Sequence, residues 1–408
     1  LYNGATGATI GSEINVEVAD TPVNPELGTT TDGRILVTYQ TIASGNDVQF
    51  EIFDPRDATI TASPGDGQVT GRLTASTIIG SSSSESLLGQ GADDVIQYVQ
   101  ATTGSGNVDT IDGGGGTNTF QITTLLDERL VDLTAGVFAL GNINSPVPIN
   151  PADVRATLAN IQNVIVAGAQ DVRGSAGANV ITAVGNFAND LHGMGGDDII
   201  FGGGGADVLD GGADNDSLYG GLGADSHIGG GGFDYARYDD ANYGNLVISL
   251  ANPGINTGAA AGDTYDGIEG VIGGAGNDAI IGDGGNNILF GGGGSDGLSG
   301  GLSADAHFGG TGFAYARYDD ANYGNLVISL INPAANTGAA TGDTYDSIEG
   351  IISGAGNDSI TGDGNANSLF GGGGNDNIFG GLGADLHNGG AGFDYARYDD
   401  ANYGNLVI

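Results

Sequence analysis

Between Gly193 and Arg237 the chain divides into five nine-residue segments, GMGGDDIIF, GGGGADVLD, GGADNDSLY, GGLGADSHI and GGGGFDYAR, whose sixth places hold Asp198, Asp207, Asp216, Asp225 and Asp234. A carboxylate returning every nine residues beside a glycine-rich bend offers oxygen donors only, from side chains and from backbone carbonyls. Such donors select a hard cation, and a flexible cage of about six oxygens favours Ca²⁺ over Mg²⁺. A second block from Gly273 places Asp278, Asn287, Asp296 and Asp305 in the same way, with Ala314 standing where Asp234 stands. A third, from Ser353, places Asp358, Asn367, Asp376, Asp385 and Asp394, and a weaker array upstream contributes Asp94 and Asp109. These residues are the candidate metal ligands. Sites that use Asn179, Asn118, Asn287, Asn367 or Ala314 in place of Asp are expected to be weak or empty.

The elements that must position these carboxylates follow from the same nine residues. Glycine permits the positive φ of a tight bend, and the last three places suffice for a short strand whose middle side chain faces inward. Two nonapeptides then make one flattened turn, and successive turns stack as parallel strands about 4.8 Å apart. The inward ladder is expected to be Ile200, Leu218 and Ala236 on one side and Leu209 and His227 on the other. Stacking sets each sixth-place Asp over the one eighteen residues away, where two unit charges repel by roughly 3–4 kcal/mol at an effective dielectric near 20. Repeated along the array, that repulsion exceeds the stability of a domain unless a cation intervenes. Metal binding and folding are therefore expected to be a single event.

Corresponding blocks lie eighty residues apart, so a period of nine is nested in a longer one. The strip YARYDDANYGNLVISL begins at Tyr315 as it does eighty residues earlier, and a third copy from Tyr395 stops inside the unit at Ile408, so the chain reads as an excerpt of a longer polypeptide. Between blocks lies NLVISLANPGINTGAAAGDTYDGIEGVIGGAGND, of which residues 122–173 look like a diverged version. Residues 1–78 differ: EINVEV, RILVTYQT and DVQFEIFD, with the turn signal ASGND, read as short antiparallel strands. The expected organisation is a β-rich segment over 1–78, a diverged roll with a linking element over 79–173, and a regular roll over 174–408. The fold class is all-β, a right-handed parallel β-roll or solenoid with a small antiparallel N-terminal segment.

Composition agrees with this reading and excludes others. The 408 residues include 81 Gly, no Cys and no Trp, and the formal net charge is −41. Such acidity rules out a partner read through its phosphates, so no nucleic acid is expected. No apolar run is long enough to span a membrane. The absence of cysteine fits an extracellular protein built without disulfides.

The nonapeptides carry a family resemblance. GGxGxDxUx is the motif of the RTX (repeats-in-toxin, haemolysin-type) calcium-binding proteins, and residues 79–408 resemble their arrays. The resemblance implies Ca²⁺ held between turns by sixth-place Asp side chains and bend carbonyls. It also implies export through a type I system in an unfolded state that meets calcium only outside the cell.

Other chemistry is weaker. His227, His307 and His387 fall at inward places eighty residues apart, too far to share one metal, and read as hydrogen-bonded interior histidines. Asp239 and Asp240 form a carboxylate pair of a kind that 50 acidic residues produce by chance. No nucleophile triad or phosphate loop stands out, and the expectation is that the chain is not an enzyme. Outward places seven and nine carry Tyr235 and Arg237, Phe290, Phe308, Tyr315 and Arg317, Phe370, and Tyr395 and Arg397. These read either as cross-strand stacking or as a docking surface for other copies of the chain or for cell-surface components. The functional expectation is a secreted, calcium-folded structural or cell-surface assembly protein, such as a surface layer, filament or adhesin. Two alternatives are a calcium-binding secretion module of a larger RTX enzyme or toxin, and a β-helical enzyme acting on polyanionic sugars, which nine scattered Arg disfavour.

Overall fold

A computed structural model describes residues 59–61, 68–71, 75–80, 85–98, 108–123, 129–140, 154–319 and 323–398, with the backbone of Val23–Thr29, Ile35–Gln40 and Val48–Phe53. It forms two compact units, Leu1–Asn118 and Thr119–Ile408. Among the described residues the regular structure is β-strand with a few single 3₁₀ turns, and no helix is long and apolar enough to cross a membrane.

In the first unit Ile35–Gln40 pairs antiparallel with both Val23–Thr29 and Val48–Phe53. EINVEV and ASGND lie outside the described residues. The expected boundary at residue 78 is too late, because parallel stacking is already present at Thr59–Thr61, which pairs in register with Thr77–Ile79 and through it with Val95–Tyr98. Gln68–Thr70 stacks likewise on Ser86–Leu88. Ile60 and Val69, nine residues apart, already take inward places here, without the Gly and Asp of the motif.

In the second unit the nonapeptides form the expected parallel stacks. Ile200 pairs with Leu218 and Leu218 with Ala236 on one face, and Leu209 pairs with His227 on another, each a step of eighteen residues. Every one of these side chains is fully buried, and strand after strand shows one inward residue between two half-exposed ones. The parallel, all-β roll is the fold.

The linking element changes faces. Thr264–Asp266 ends the stack that contains Ser226–Gly231, while Gly270–Ala275 continues the stack of Tyr235–Arg237. A new stack starts at Val247–Ser249, whose outer edge is covered by its own chain: Thr257 N–H donates to the Val247 carbonyl at 3.0 Å, and Val247 N–H donates to Thr257 Oγ1 at 3.1 Å. Val327–Ser329, Thr337 and Thr344–Asp346 repeat the arrangement. A covered edge cannot recruit stray strands.

In YARYDDANY the strand is short, Tyr235–Arg237, and the chain leaves the sheet where Arg237 turns back onto Asp239. Residues 122–173 are built differently from the later elements: within them Val137–Leu140 runs antiparallel to both Arg129–Asp132 and Val154–Ala159, where the described residues of the later elements show the single antiparallel bridges Val247–Thr257 and Val327–Thr337. The end of the third copy, from residue 399, lies outside the described residues.

Candidate metal centre

The sixth-place aspartates are buried and stacked as a ladder. Oδ1 of Asp216 accepts from the backbone N–H of Asp198 at 2.8 Å, and Oδ1 of Asp234 accepts from that of Asp216 at 2.7 Å. The same bond joins Asp207 to Asp225, Asp278 to Asp296 and Asp358 to Asp376. One carboxylate oxygen therefore closes the backbone between turns, and stacked carboxylates are held at short range by the fold itself.

The other oxygen has no such role. Oδ2 of Asp198, Asp207, Asp216, Asp225, Asp234, Asp278, Asp296, Asp305, Asp358 and Asp376 is buried without a hydrogen-bond partner in the structure. An unpaired buried carboxylate oxygen is costly, so its repetition calls for a cation. These oxygens converge on a defined place. A methyl built on first-place Gly202 would lie 2.7 Å from Asp207 Oδ2 and 2.8 Å from the carbonyl oxygen of Gly220, the first-place glycine one turn on. Gly193, Gly273 and Gly371 face the matching pair of oxygens from Asp198 and Gly211, Asp278 and Gly291, and Asp376 and Gly389. Each cradle is thus lined by hard oxygens and is closed to any residue larger than glycine. No three carboxylate or imidazole groups converge among the described residues, so backbone carbonyls must complete each ligand set. That donor chemistry fits Ca²⁺. When bound, the ion would supply positive charge against Oδ2, while Oδ1 continues to hold the neighbouring turn.

Without a cation, burial pushes the carboxyls of Asp198, Asp207 and Asp216 up to about 7, opposed by the backbone N–H each accepts and reinforced by neighbouring carboxylates. Asp278 and Asp305 rise to about 6 for the same first reason.

The departures from Asp have local explanations. Asn287 accepts the Asp283 N–H on Oδ1 and donates Nδ2 to the Glu269 carbonyl at 3.3 Å. Asn367 does likewise with Asp363 and Glu349, and Asn179 with Ser175 and Gln162. At these three places the turn below presents a carbonyl to the side chain, and an amide satisfies it where a carboxylate would oppose it. Ala314 removes a carboxylate altogether, and the N–H of Asp296 goes to the Phe313 carbonyl instead. In the upstream array Asp94 Oδ1 accepts from Ser76 N–H and its Oδ2 from Gln90 N–H, while Asp109 Oδ1 accepts from Glu85 N–H. The protein itself therefore serves both oxygens of Asp94. Asp385 and Asp394, in the last described turn, are only half-buried.

Three sets of residues escaped the sequence reading. Asp263 and Asp343 extend the ladder, accepting from Asp225 and Asp305 N–H across 38 residues. Their Oδ2 is served by the hydroxyl of Tyr238 or Tyr318, which itself meets Tyr265 or Tyr345. Glu269 and Glu349 cap the other ladder, accepting from Asp234 and Ala314 N–H. Fifth-place amides form a second ladder of opposite sense, in which Asn215 N–H donates to Asp197 and Asn215 Oδ1 accepts from Phe233. Only its recurrence at place five, as in Asn277, Asn357 and Asn375, could have signalled it.

The RTX calcium-binding nonapeptide repeat, compared as a family profile, matches residues 184–218, 202–236, 265–306, 352–387 and 361–396. These are RTX calcium-binding repeats. Comparison with curated proteins returns no match. The matched RTX segments contain all ten aspartates with an unpaired Oδ2, and they contain Asn287 and Asn367, whose amides close their own cradles.

His227 and His307 are buried as expected, with the backbone of Thr264 and of Thr344 against their rings and no side-chain hydrogen bond. His227 lies against Tyr265 at a ring separation of 5.3 Å. Asp239 is held by the Arg237 fork, which removes it from any pairing with Asp240. The outward aromatics do stack across strands: Phe290 on Phe308 at 4.5 Å, Phe201 on Tyr219 at 4.4 Å, with Arg237 over the Tyr219 ring and Arg397 over Phe379.

Proposed function

We propose that the chain is a secreted, calcium-folded structural repeat whose roll acts by lateral assembly, with other copies of itself or with cell-surface components, and not by catalysis. The observation that carries this reading is an outward apolar residue repeated at one bend of each long repeat. Leu222, Leu302 and Leu382 stand at the third place of equivalent nonapeptides, 59%, 65% and 55% exposed. A buried-phase explanation fails for them, since the inward places of the same turns are filled by other residues. Recurrence at eighty residues presents one such residue per long repeat, with successive copies preceding strands of different sheets, and the Tyr235 and Arg237, Tyr315 and Arg317, and Tyr395 and Arg397 pairs recur at the same interval, so contacts with a second roll would be offered from more than one face. The calcium-binding repeats support an extracellular location, where they would meet saturating Ca²⁺. Phe290 and Phe308 share a sheet with Tyr235, and Phe370 shares one with Tyr315, as further contact candidates.

The test is assembly with and without calcium. Light scattering and electron microscopy of the full chain should show ordered association in Ca²⁺ and none after EDTA. Replacing Leu222, Leu302 and Leu382 together by Ser should abolish association while leaving calcium-induced strand content intact. Association unchanged in that triple variant, or a monomer at all concentrations in Ca²⁺, would remove the reading.

A further inference from the structure

The outward face of the stack that starts at Val247–Ser249 carries a groove of about 600 Å³, a size usual for ligand sites. It crosses the strands Val247–Ser249, Ala279–Ile281, Gly297–Ser299 and Tyr315–Arg317, which pair in that order. Their first residues are Val247, Ala279, Gly297 and Tyr315, so a floor of two small residues lies between two larger ones. Three strand steps, roughly 14 Å, separate the end walls. The equivalent row is Val180, Ile199, Ser217 and Tyr235 in the first block and Val327, Ser359, Asn377 and Tyr395 in the third. Of the three, the second block alone has a floor of alanine and glycine.

The walls are preformed. The Tyr315 ring packs against Phe313 and Phe370, at ring separations of 5.0 and 6.2 Å. Beside it the arginine takes a different course from its counterparts. Arg237 lies over the Tyr219 ring and Arg397 over Phe379, whereas Ser299 stands in that place of the second block. Arg317 lies instead across Gly297, where an added methyl would come 2.9 Å from Arg317 Cδ. Its Nε and Nη2 each donate to Asp319 at 2.9 Å, so it brings an apolar stem to the groove with its charge answered. Val247 and Thr257, already bonded to each other, close the far end. Along one side stand Asn245 and Asn277, both exposed. Oδ1 of Asn245 accepts the Asn277 N–H at 2.9 Å and Oδ1 of Asn277 the Ser295 N–H at 2.7 Å, which leaves the amide nitrogens for a ligand.

These surfaces restrict what fits. An extended peptide laid on a sheet face gains no backbone partners, because the strands beneath it are already paired on both sides. A polyanion is opposed by Asp278, Asp296 and Asp319 around the groove and by the net charge of −41. A wholly apolar group would cover the amide hydrogens of Asn245 and Asn277 without pairing them. A sugar ring meets each condition, since it has C–H faces for an aromatic wall and an apolar floor, and hydroxyls at its edge for amide donors. We propose that this groove binds a neutral glycan, its pyranose rings lying on Ala279 and Gly297, with a C–H face against Tyr315 and hydroxyls on the Asn245 and Asn277 amides. The site is on a strand face and the exposed leucines are at bends, so the proposal does not depend on lateral assembly.

The test is isothermal titration of maltohexaose, cellohexaose, mannohexaose and N-acetylchitohexaose into the calcium-loaded full chain, with hexagalacturonate as the charged comparison. At least one neutral hexaose should bind, and hexagalacturonate should bind about tenfold more weakly or worse. Ala279→Ser with Gly297→Asn gives the second block the floor of the third, where Ser359 and Asn377 occupy the same strand positions, and should weaken binding by about tenfold or more. Tyr315→Ala should do the same. Tyr235→Ala, which removes the equivalent ring above the filled floor of the first block, should leave the affinity within about twofold. Circular dichroism in Ca²⁺ checks the strands of each variant, and the floor variant decides the matter if Tyr315→Ala loses them. No binding of any neutral hexaose at millimolar concentration, affinity unchanged in the floor variant, or preference for hexagalacturonate would each overturn the proposal. Failure of the sugars to bind together with loss of self-association by the floor variant, read by light scattering in sugar-free buffer, would assign the groove to a second copy of the chain instead.

Discussion

Gly202→Ala fills one cradle with a methyl group. Its Cβ would lie 2.7 Å from Asp207 Oδ2 and 2.8 Å from the Gly220 carbonyl oxygen, while Ca²⁺–oxygen distances are about 2.3–2.6 Å, so the methyl takes the place of the ion. Gly202 has no left-handed φ, so alanine meets no backbone strain there, and the perturbation is confined to the cradle. Loss of one bound ion at a free Ca²⁺ of about 100 times its dissociation constant removes about 2.7 kcal/mol of stability. Overpacking adds about 1–3 kcal/mol, which persists without metal. Gly284→Ala is the matched control: nothing lies within 4 Å of its added methyl, and it shares the entropic gain of any Gly→Ala change. Urea denaturation in Ca²⁺ and in EDTA separates the two contributions, and equilibrium dialysis counts the ions. Gly202→Ala should bind one Ca²⁺ fewer than Gly284→Ala and lose more stability in Ca²⁺ than in EDTA. Equal ion counts, or equal losses in the two media, would show that no ion sits between Asp207 and Gly220.

Leu209→Ala opens a cavity in a fully buried ladder and should cost about 2–5 kcal/mol in Ca²⁺ by urea denaturation, whereas Leu222→Ala, exposed at a bend, should cost under about 0.5 kcal/mol. Tyr238→Phe takes the hydroxyl from Asp263 Oδ2 and should destabilise the calcium-loaded chain by about 1–3 kcal/mol, read in the same assay. Asn287→Asp turns a carboxylate towards the Glu269 carbonyl and should destabilise, without adding a bound ion, by a similar amount. Acid should weaken calcium binding: in the metal-free fold the carboxyls of Asp198, Asp207 and Asp216, raised to about 7, are neutral below that pH, and any stabilisation of the metal-free bends by these protons is lost as pH rises through about 7. Calcium needs the charged form, so its affinity at these cradles should fall about tenfold between pH 8 and pH 6, measured by isothermal titration.

What could be read from the sequence is what obeys a period. The ladder of Ile200, Leu209 and Leu218 and the stacked Asp198, Asp216 and Asp234 follow from a repeat of nine with two repeats per turn, since a parallel stack allows only one register for it. The caps could not be read in this way. Asp263 and Glu269 reach Asp225 and Asp234 across 38 and 35 residues, through a linking element that breaks the phase. Asn287 looked like a weakened ligand, and only the carbonyl of Glu269 beneath it shows the amide to be matched to its place. The early stacking of Ile60 and Val69 was hidden because the inward side chain, not the glycine or the aspartate, sets the stack there.

The most direct measurement is strand content by circular dichroism as Ca²⁺ is added to the stripped full chain at pH 7.5, with Mg²⁺ as the comparison. If buried, unpaired Oδ2 atoms require calcium, the strand signal should rise cooperatively with Ca²⁺, fall again on EDTA, and stay low with Mg²⁺ alone. A full strand signal in the stripped chain, indifferent to Ca²⁺ and to EDTA, would mean that the aspartate ladder stands without metal.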